Sequence, residues 1–546
     1  MLNKLFLLVN TIKWLRFKQL TYRIYYKLVS ARVPKIVQAI ETRDFIWSAP
    51  EFAKQSYKDN GLFSFLNVEG EIKKPSDWNS DKYSKLWLYN LHYFDDLNAQ
   101  NNHQRTSLHY QLVNRWIEEN PAVIGNGWEP YPLSLRLVNW IKWYSRTGQT
   151  DTRIVQSISQ QAAVLHQRLE YHIQGNHLFS NAKALIFSGC FLNGSDSALY
   201  LSTGRSILST ELKEQFLVDG GHFELSPMYH CIMLWDLLDI INLAQITSHP
   251  QLTECVPEWC AVAAKALQWL DVMRHPDQQI SFFNDSAFDI AATPEQLHNY
   301  ARLLNIPISV NHHASITTLS DSGYSRLQQG ESVLLIDHAA VGPDYLPGHA
   351  HADTLSIEWS IGAQRVFVNS GTSVYGSGSE RHRQRQTAAH NTVIVDGQDS
   401  SEVWGGFRVA RRAKARLISV NEEYETCTLH AAHDGYRRLA GRVIHDRSVH
   451  LSPNSLVIRD QLAGKWIKAE AIYHLHPDVI CSADGDSMLL LLPSGIHIRI
   501  STSAKVLVSS SSWHPSFGVS IPNNKLTLSF VDSVLEVRFE LERSKS

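Results

Sequence analysis

Apolar residues recur at helical spacing between about residues 80 and 310. On one predicted helix, which follows a proline suited to the first turn, they are Leu133, Leu137, Trp140, Ile141 and Tyr144. The same period appears in windows at residues 108–118, 151–171, 177–191, 197–216, 227–246 and 258–273. Short breaks rich in Gly, Asn and Pro separate these windows. Consecutive helices with short connections form bundles or rings of helical hairpins, so this part is predicted to be all-helical.

The period of the apolar residues changes from 3.6 to 2 near residue 315. Alternating segments bounded by Gly and Asp turns predict strands at residues 332–337, 365–368, 391–397, 456–460 and 534–539. No helical window separates these strands, so their sheets should be antiparallel. We therefore predict a helical or irregular segment at 1–79, a helical domain at 80–315 and an antiparallel β domain at 316–546. A cleft between the last two is the expected place for a ligand.

The composition is that of a folded protein, with 44% hydrophobic residues. The net charge is −2 and no long basic run occurs, so nucleic acid is not an expected partner. The 15 Trp residues are numerous, and exposed aromatic rings can stack on sugars, although most should pack between helices. The six cysteines are not arranged as a disulfide framework and are expected to be reduced.

No run of 18 apolar residues occurs, so the sequence predicts no transmembrane segment. The apolar run within residues 1–10 is too short for a signal peptide, and no small-residue cleavage site follows it. We therefore expect a cytoplasmic or cell-envelope-associated protein. The basic, aromatic segment Lys13–Arg32 could contact a membrane surface, but a helix docked on the protein is the favoured interpretation. The sequence does not predict the oligomeric state.

Polar residues stand at two predicted helix starts in the helical half. Asn176 follows Gly175, and its side chain either caps the helix or is available to a ligand. Ser226 and Pro227 predict the cap and first residue of another helix, which places Tyr229 in its first turn. The helix dipole there would lower the phenol pKa and suit Tyr229 to proton transfer; the alternative is a packed aromatic ring.

Arg136 lies on the apolar face of a predicted helix. A guanidinium in that position needs an anionic partner. A structural carboxylate such as Glu129 and a substrate carboxylate are both consistent with the sequence.

The β half carries a cluster of histidines. If the strand that follows them extends back far enough, His349, His351 and Asp353 share one face of it. Such a cluster can bind a metal or transfer protons. His351, Asn369 and His390 could also converge from successive strands on a zinc ion, although Asn is a poor zinc ligand.

The order of these motifs resembles the heparinase II/III-like family of polysaccharide lyases. The resemblance spans about residues 80 to 410, in segments 90–95, 131–136, 175–178, 223–230, 349–353, 370–372 and 387–393. It implies an incomplete (α/α) toroid followed by an antiparallel β-sandwich, in agreement with the change of period. It also implies β-elimination on an acidic, uronic-acid-containing polysaccharide, and suggests a setting in surface-polysaccharide metabolism.

The resemblance assigns roles to individual residues. It implies that Asn176, with His177, neutralises the substrate carboxylate. Tyr229 would be the acid and, for some substrate geometries, also the base. His349 would be the partner base or would stabilise the developing enolate. Tyr375 is a candidate second catalytic tyrosine.

The remaining predicted site residues fall into two groups. Those expected to contact the sugars are Arg136, Glu224, His230 and Arg385, with Tyr375 beside them. Those at the family's metal position, where zinc is the implied cofactor, are His351, Asn369 and His390.

Two departures from the family pattern keep other functions open. The chain has Asn369 where the family usually has Asp, and Ser180 where it often has Glu. These changes are compatible with a catalytically weak or inactive glycan-binding protein of a polysaccharide assembly system. A second alternative is an inverting glycosidase, which would need two carboxylates, such as Glu224 and Asp353, roughly 6.5–9.5 Å apart.

Overall fold

The computed structural model describes residues 2–33, 40–308, 314–484 and 487–542. Within these ranges the α-helices are α1 (Leu2–Ile12), α2 (Phe17–Leu28), α3 (Lys85–Tyr93), α4 (Thr106–Glu119), α5 (Pro130–Thr147), α6 (Thr152–Gln167), α7 (Gly175–Phe191), α8 (Ser197–Gln215), α9 (Pro227–Thr247), α10 (Pro250–Thr253), α11 (Val256–Met273), α12 (Pro294–Leu303) and α13 (Ser379–Arg385). No helix in the described part is both long and apolar enough to cross a membrane.

The helices of the first half pack as an incomplete toroid. α7 contacts α5, α6, α8 and α9, and α9 contacts α11 and α12. The apolar face predicted for α5 is buried, with Leu133, Leu137 and Trp140 fully inaccessible. α9 begins as predicted, because the Ser226 hydroxyl accepts a hydrogen bond from the Tyr229 backbone N–H at 3.1 Å.

Strands dominate the chain after residue 315. Four short strands precede them, and the whole set is β1 (Glu41–Thr42), β2 (Leu62–Phe65), β3 (Val68–Glu71), β4 (Leu192–Asn193), β5 (Ile316–Leu319), β6 (Tyr324–Gln329), β7 (Ser332–Asp337), β8 (Ile357–Ile361), β9 (Gln364–Phe367), β10 (Val393–Val395), β11 (Val403–Trp404), β12 (Arg408–Val409), β13 (Ala415–Glu423), β14 (Thr426–His433), β15 (Ile444–Ser452), β16 (Ser455–Ala463), β17 (Ala469–His474), β18 (Ile480–Asp484), β19 (Ser487–Leu491), β20 (His497–Thr502), β21 (Val506–Trp513), β22 (Ile521–Ser529) and β23 (Val534–Glu542).

In its described residues the β half contains three large antiparallel sheets and the two-stranded ribbon β11-β12. β5 to β9 form a five-stranded meander. An eight-stranded sheet has the order β13-β14-β15-β16-β23-β20-β19-β18, and a four-stranded sheet has the order β10-β17-β22-β21. Their inner faces share one apolar core, to which they contribute Trp359, Ile458 and Leu528 among others. This is the β-sandwich that the sequence implied.

One predicted strand is wrong in its extent. Residues 349–353 do not belong to β8, which begins only at Ile357. Leu355 has φ of +63°, a left-handed conformation that interrupts an extended strand. The histidines at 349 and 351 therefore lie in a loop, where hydrogen bonds, not the alternation of a strand, orient them.

The connection between α11 and α12 passes between the two halves and is tied to the β half. The Glu358 carboxylate on β8 accepts hydrogen bonds from the backbone N–H groups of Phe282 (3.2 Å) and Asn369 (2.9 Å). His275 Nε2 lies 2.8 Å from the same carboxylate. All these groups are buried, so one carboxylate fixes the position of the connection that carries Asp285 into the site.

Candidate active site

A cavity of about 1960 Å³ lies between the helical half and the β half. This volume exceeds that of a usual small-molecule pocket, about 300–1,000 Å³, and would accommodate several sugar rings. Both halves contribute side chains to its wall. Those singled out from the sequence are Asn176, His177, Glu224, Tyr229, His349 and Tyr375.

Tyr229, His349 and Tyr375 form a compact group on this wall. The ring of Tyr229, from the first turn of α9, stacks on the imidazole of His349 with centroids 3.9 Å apart. The Tyr229 and Tyr375 hydroxyl oxygens are 3.1 Å apart. The Tyr375 hydroxyl also lies 3.5 Å from His349 Nδ1. Three proton-carrying groups from two halves of the protein thus meet at one point.

Asp285 holds this group in place. His349 Nδ1 is 2.8 Å from Asp285 Oδ2, and His351 Nε2 is 2.8 Å from Asp285 Oδ1. Arg381 of α13 donates to both oxygens of the same carboxylate. Because an ionised carboxylate only accepts hydrogen bonds, His349 must carry a proton on Nδ1, so Nε2 is the nitrogen that holds the lone pair whenever the ring is neutral.

Burial and charge set the protonation states around the site. Burial alone would raise the pKa of Asp285, but Arg381 and the hydrogen bonds from His349 and His351 hold that pKa well below its usual range. Burial, reinforced by the neighbouring Tyr375, raises the pKa of Tyr229 well above 10. The predicted lowering of the Tyr229 pKa by the helix dipole is therefore wrong, because desolvation outweighs the dipole at this position.

Asn176 is the second residue of α7 and does not cap that helix. The residue before the helix is Gln174, whose φ is +70°, and Gly175 follows with φ of +59°. A Cβ atom on Gly175 would lie 2.3 Å from Leu346 Cδ2. The Asn176 amide has no hydrogen-bond partner among the described residues, although the residue is buried in the cavity wall. It is therefore free to bind a ligand.

His177 is oriented by a carboxylate. Its Nδ1 lies 2.9 Å from Glu170 Oε1, and its ring packs against that of Tyr131 at 4.3 Å between centroids. Burial would lower the pKa of His177, but Glu170 more than offsets this effect and raises the pKa. The side chain is suited to present a proton on Nε2 to an anion in the cavity.

Glu224 is buried in the cavity wall. Neither of its carboxylate oxygens has a partner at full hydrogen-bond geometry within the described part of the chain, although the Asn176 backbone N–H lies close enough to lower the carboxyl pKa. Its Oε2 lies 3.4 Å from His349 Nε2. Burial raises the pKa of Glu224, while His349 opposes that shift. An unsatisfied buried carboxyl group facing a cavity is a candidate for binding a sugar hydroxyl.

The three residues at the proposed metal position form a chain of hydrogen bonds. His351 Nδ1 is 3.2 Å from His390 Nε2, and His390 Nδ1 is 3.3 Å from Asn369 Oδ1. The second nitrogen of His351 is already bonded to Asp285. Asn369 thus contacts Nδ1 of His390, whereas His351 contacts Nε2 of the same ring. Three zinc ligands would have to point at one common centre, and these three side chains are arranged in a row instead.

The Asn369 amide oxygen is engaged within the protein. Besides facing His390, this Oδ1 accepts a hydrogen bond from the Asn391 backbone N–H at 3.3 Å. In the described ranges, no group of three or more His, Cys, Asp or Glu side chains could hold a metal. As arranged here, the three residues therefore do not fit a zinc centre.

Three predicted substrate-binding residues lie outside the cavity wall. Arg136 is fully buried, donates to Gln161 Oε1 at 2.9 Å and packs over a Trp ring. His230 Nε2 donates to a backbone carbonyl, that of Ala266, at 3.0 Å. Arg385 donates to backbone carbonyls, including that of Ala350 at 2.9 Å. Arg136 Nη2 has no hydrogen-bond partner among the described residues, but it is buried away from the cavity. The structure therefore brings none of the three residues to the site.

Neither Glu129 nor Asp353 has the position considered for it from the sequence. Glu129 does not pair with Arg136, because it bonds Lys85 and Tyr89. Asp353 also lies outside the cavity wall, where its Oδ2 accepts from the Asn284 backbone N–H at 3.2 Å.

Ser180 does line the cavity, and a carboxylate stands beside it. Its hydroxyl donates to Asp236 Oδ2 at 3.4 Å, and Asp236 is in turn paired with Lys183 Nζ at 2.6 Å. All three belong to the cavity wall. The gap left by Ser180 in the family pattern therefore lies next to an acidic side chain supplied by α9.

The residues that orient the others were not predicted from the sequence. Asp285 bonds both His349 and His351 and is paired with Arg381, and Glu170 positions His177. None of them belongs to a motif with recognisable spacing. The one available signal was Asp285 itself, a charged residue two positions after the apolar pair Phe282 and Phe283 in a connection between helices.

Comparison with known proteins places the chain in a family. The model for the heparinase II/III N-terminus matches residues 79–306, and that for the heparinase II/III-like C-terminal domain matches residues 312–542. The two matches cover most of the sequence and both halves of the fold. The chain belongs to the heparinase II/III-like family.

Curated relatives share part of their length with this chain. Heparin-sulfate lyase of Pedobacter heparinus is 24% identical over 315 residues, which are 52% of this chain and 47% of that protein. Heparin-sulfate lyase of Bacteroides stercoris is 24% identical over 314 residues, 54% and 44% of the two chains. The chain thus matches about half the length of these relatives.

Solved structures share its fold. A crystal structure of heparinase III superposes with a TM-score of 0.67 at 17% identity, over 89% of this chain and 80% of that one. Heparan sulfate lyase HepC from Pedobacter heparinus gives a TM-score of 0.57 at 17% identity, over 89% and 82%. The toroid and the β-sandwich are therefore both features of known lyase structures.

Proposed function

We propose that this protein is a polysaccharide lyase that cleaves an acidic, uronic-acid-containing polysaccharide by β-elimination. The observation that carries the proposal is the meeting of Tyr229 and His349 in a cavity that also exposes the unpartnered amide of Asn176. The similarity to two heparin-sulfate lyases supports the same class of reaction.

The reaction begins with the substrate carboxylate. The proton on C5 of a uronic acid is weakly acidic while that carboxylate is ionised, so its charge must first be neutralised. Asn176 offers amide N–H donors without a competing partner. His177, kept protonated more readily by Glu170, adds a charged donor. Together they would stabilise the enolate that forms as the C5 proton leaves.

His349 is assigned the role of base. With its proton fixed on Nδ1 by Asp285, its Nε2 carries the lone pair that would take the C5 proton. The electrons of the C5–H bond then form the C4–C5 double bond, and the bond from C4 to the glycosidic oxygen breaks. Asp285 would stabilise the imidazolium produced.

Tyr229 is assigned the role of acid. Its raised pKa keeps the phenol protonated, so the hydroxyl can give its proton to the departing oxygen. Tyr375, at 3.1 Å, can replace that proton through its own hydroxyl. Glu224, whose oxygens lack partners, would bind a hydroxyl of a neighbouring sugar.

The decisive experiment measures the ultraviolet absorbance of a 4,5-unsaturated uronate across a panel of acidic polysaccharides. We expect the wild type to generate this product and Tyr229→Phe to lose at least about a hundredfold in rate, the range for removal of a general acid. Tyr436→Phe is the matched control, because its hydroxyl donates to the Val393 carbonyl inside the β half. Saturated reducing ends without a double bond would contradict the proposal and indicate a glycosidase.

A second candidate is a glycan-binding protein with little turnover. Ser180 and Asn369, which depart from the family pattern, favour it. This candidate predicts that the polysaccharide binds with equal affinity to the wild type and to Tyr229→Phe, with no unsaturated product from either. Calorimetric titration on the same panel distinguishes it from the lyase.

A further inference from the structure

The first two helices expose an apolar face. In α1 this face contains Leu5, Leu8, Val9 and Ile12, which lie one or two turns apart. In α2 it contains Phe17, Leu20, Ile24 and Leu28. Phe17 and Leu28 are each 80% exposed. In a helix whose apolar stripe faces a protein core, such side chains are buried.

The same two helices are basic. The described residues 2–33 include no Asp or Glu, and their cations are Lys4, Lys13, Arg16, Lys18, Arg23, Lys27 and Arg32, all exposed. Within that segment only Arg16 forms an ion pair, with Glu214. The whole chain has a net charge of −2, so this concentration of positive charge is local.

The opposite face of the helices is already anchored to the protein. Gln19 is buried against the carbonyls of Ile173 and Tyr345. The Trp404 indole N–H donates to Thr11 Oγ1 at 3.0 Å. Lys18 Nζ lies 3.8 Å from the centre of the Tyr171 ring. The exposed stripe is therefore a second face of a docked helix pair.

We propose that this face docks onto an anionic lipid surface. An apolar stripe bordered by Lys and Arg is the composition that inserts shallowly into the headgroup region and attracts anionic lipids. A protein partner would have to offer an apolar groove rimmed by acids, whereas a bilayer presents both properties over any area. The six cations of this segment that form no ion pair match a negative surface.

Docking would bring the cavity close to the lipid. Leu8 and Ile12 of α1, Arg23 of α2 and Leu15 between the two helices also line the cavity wall. A protein bound through the helix pair would therefore hold the mouth of its cavity at the membrane surface. Glycans anchored in or lying on that surface would have direct access to it.

The test is sedimentation of the full chain with vesicles of phosphatidylcholine containing phosphatidylglycerol, compared with phosphatidylcholine alone. We expect binding to the anionic vesicles that weakens as sodium chloride is added. Arg23→Gln with Lys27→Gln should lower the affinity about 25-fold, at about fivefold for each lost charge. Phe17→Glu with Leu28→Glu should lower it by more than about tenfold.

A matched control distinguishes binding through this face from nonspecific binding to the vesicles. Ile467 and Val531 of the β half are 97% and 85% exposed. Ile467→Glu with Val531→Glu therefore removes two exposed apolar side chains and adds two negative charges at another surface. Thermal unfolding of each variant verifies that the fold is kept. Two results would overturn the proposal. One is the absence of wild-type binding to the anionic vesicles. The other is a loss of binding in Ile467→Glu with Val531→Glu as large as that in Phe17→Glu with Leu28→Glu. A dimeric wild type that becomes monomeric in Phe17→Glu with Leu28→Glu would also overturn the proposal. That result would assign the face to contact with a second copy of the chain.

Discussion

The imidazole of His349 lies against the phenol ring of Tyr229, with centroids 3.9 Å apart and planes inclined by 30°. Tyr229 belongs to the helical half and His349 to a loop of the β half. The stack therefore fixes both the distance between two proton-transfer groups and the relative position of the two halves.

Tyr375→Phe should lower turnover by about tenfold, less than Tyr229→Phe. Its hydroxyl lies 3.1 Å from that of Tyr229 and would return a proton after each cycle without contacting the leaving oxygen. The measurement is kcat from product absorbance, with Tyr436→Phe as the control. A loss as large as that of Tyr229→Phe would show instead that Tyr375 is the acid.

Asp285→Asn should destabilise the protein by about 3–5 kcal/mol, because it leaves the buried guanidinium of Arg381 without its carboxylate. Urea unfolding measures the change. Asp285→Asn combined with Arg381→Gln should recover part of the loss, since the double variant buries no unpaired charge.

Glu69→Gln is the control for this pair of charges. That carboxylate is 61% exposed and pairs with Lys58, which is 50% exposed, so its loss should cost less than about 1 kcal/mol. Equal losses for Glu69→Gln and Asp285→Asn would mean that burial of the Asp285 pair does not govern its contribution.

Glu211→Gln should change how stability depends on pH. Burial in α8 raises the pKa of Glu211 to about 7, above the ordinary value of 4.5. The folded state therefore retains a proton that the unfolded state has released, so this stabilisation is complete below pH 4.5 and is lost as the pH rises through 7. The loss amounts to about 3 kcal/mol at most.

The free energy of unfolding, measured between pH 4.5 and 8, checks this. Glu211→Gln should flatten the decline and be more stable than the wild type at pH 8. Glu425→Gln, at an exposed position, should leave the curve unchanged. An unchanged slope in Glu211→Gln would assign the decline to other groups.

A chelator should leave the lyase activity unchanged. His351, His390 and Asn369 form a hydrogen-bonded chain in place of a convergent set of zinc ligands. Asn369→Asp is the informative comparison, because a carboxylate restores a charged ligand. Zinc content after dialysis should rise in Asn369→Asp alone; stoichiometric zinc in the wild type would refute this account.

The sequence predicted the architecture because the architecture depends on local periodicity. The apolar stripe of α5 and the cap at Ser226 are properties of neighbouring residues, and both were found. The strand at 332–337 was predicted with its observed limits. The predicted extension of a strand through His349 was wrong, because the left-handed backbone of Leu355 cannot be recognised in the sequence.

The site was predicted less completely, because burial and distant partners decide it. The pKa of Tyr229 depends on desolvation, which a helix position does not reveal. Arg136 looked like a ligand for an anion but packs inside the toroid. Asp285 meets Arg381 across 96 residues of sequence, and only the fold brings the two together.

Three non-glycine residues with left-handed backbones lie within two residues of Asn176, Glu224 and Asp285 of the site: Gln174, Leu225 and Asn284, with φ of 70°, 59° and 56°. Such conformations cost about 1–2 kcal/mol each for residues that carry a Cβ. Directed evolution for heat resistance should therefore find its gains near these positions, and the gains should come with slower turnover. The same few strained peptide units affect both the activity of the site and the thermal stability of the protein, so neither property can be optimised alone.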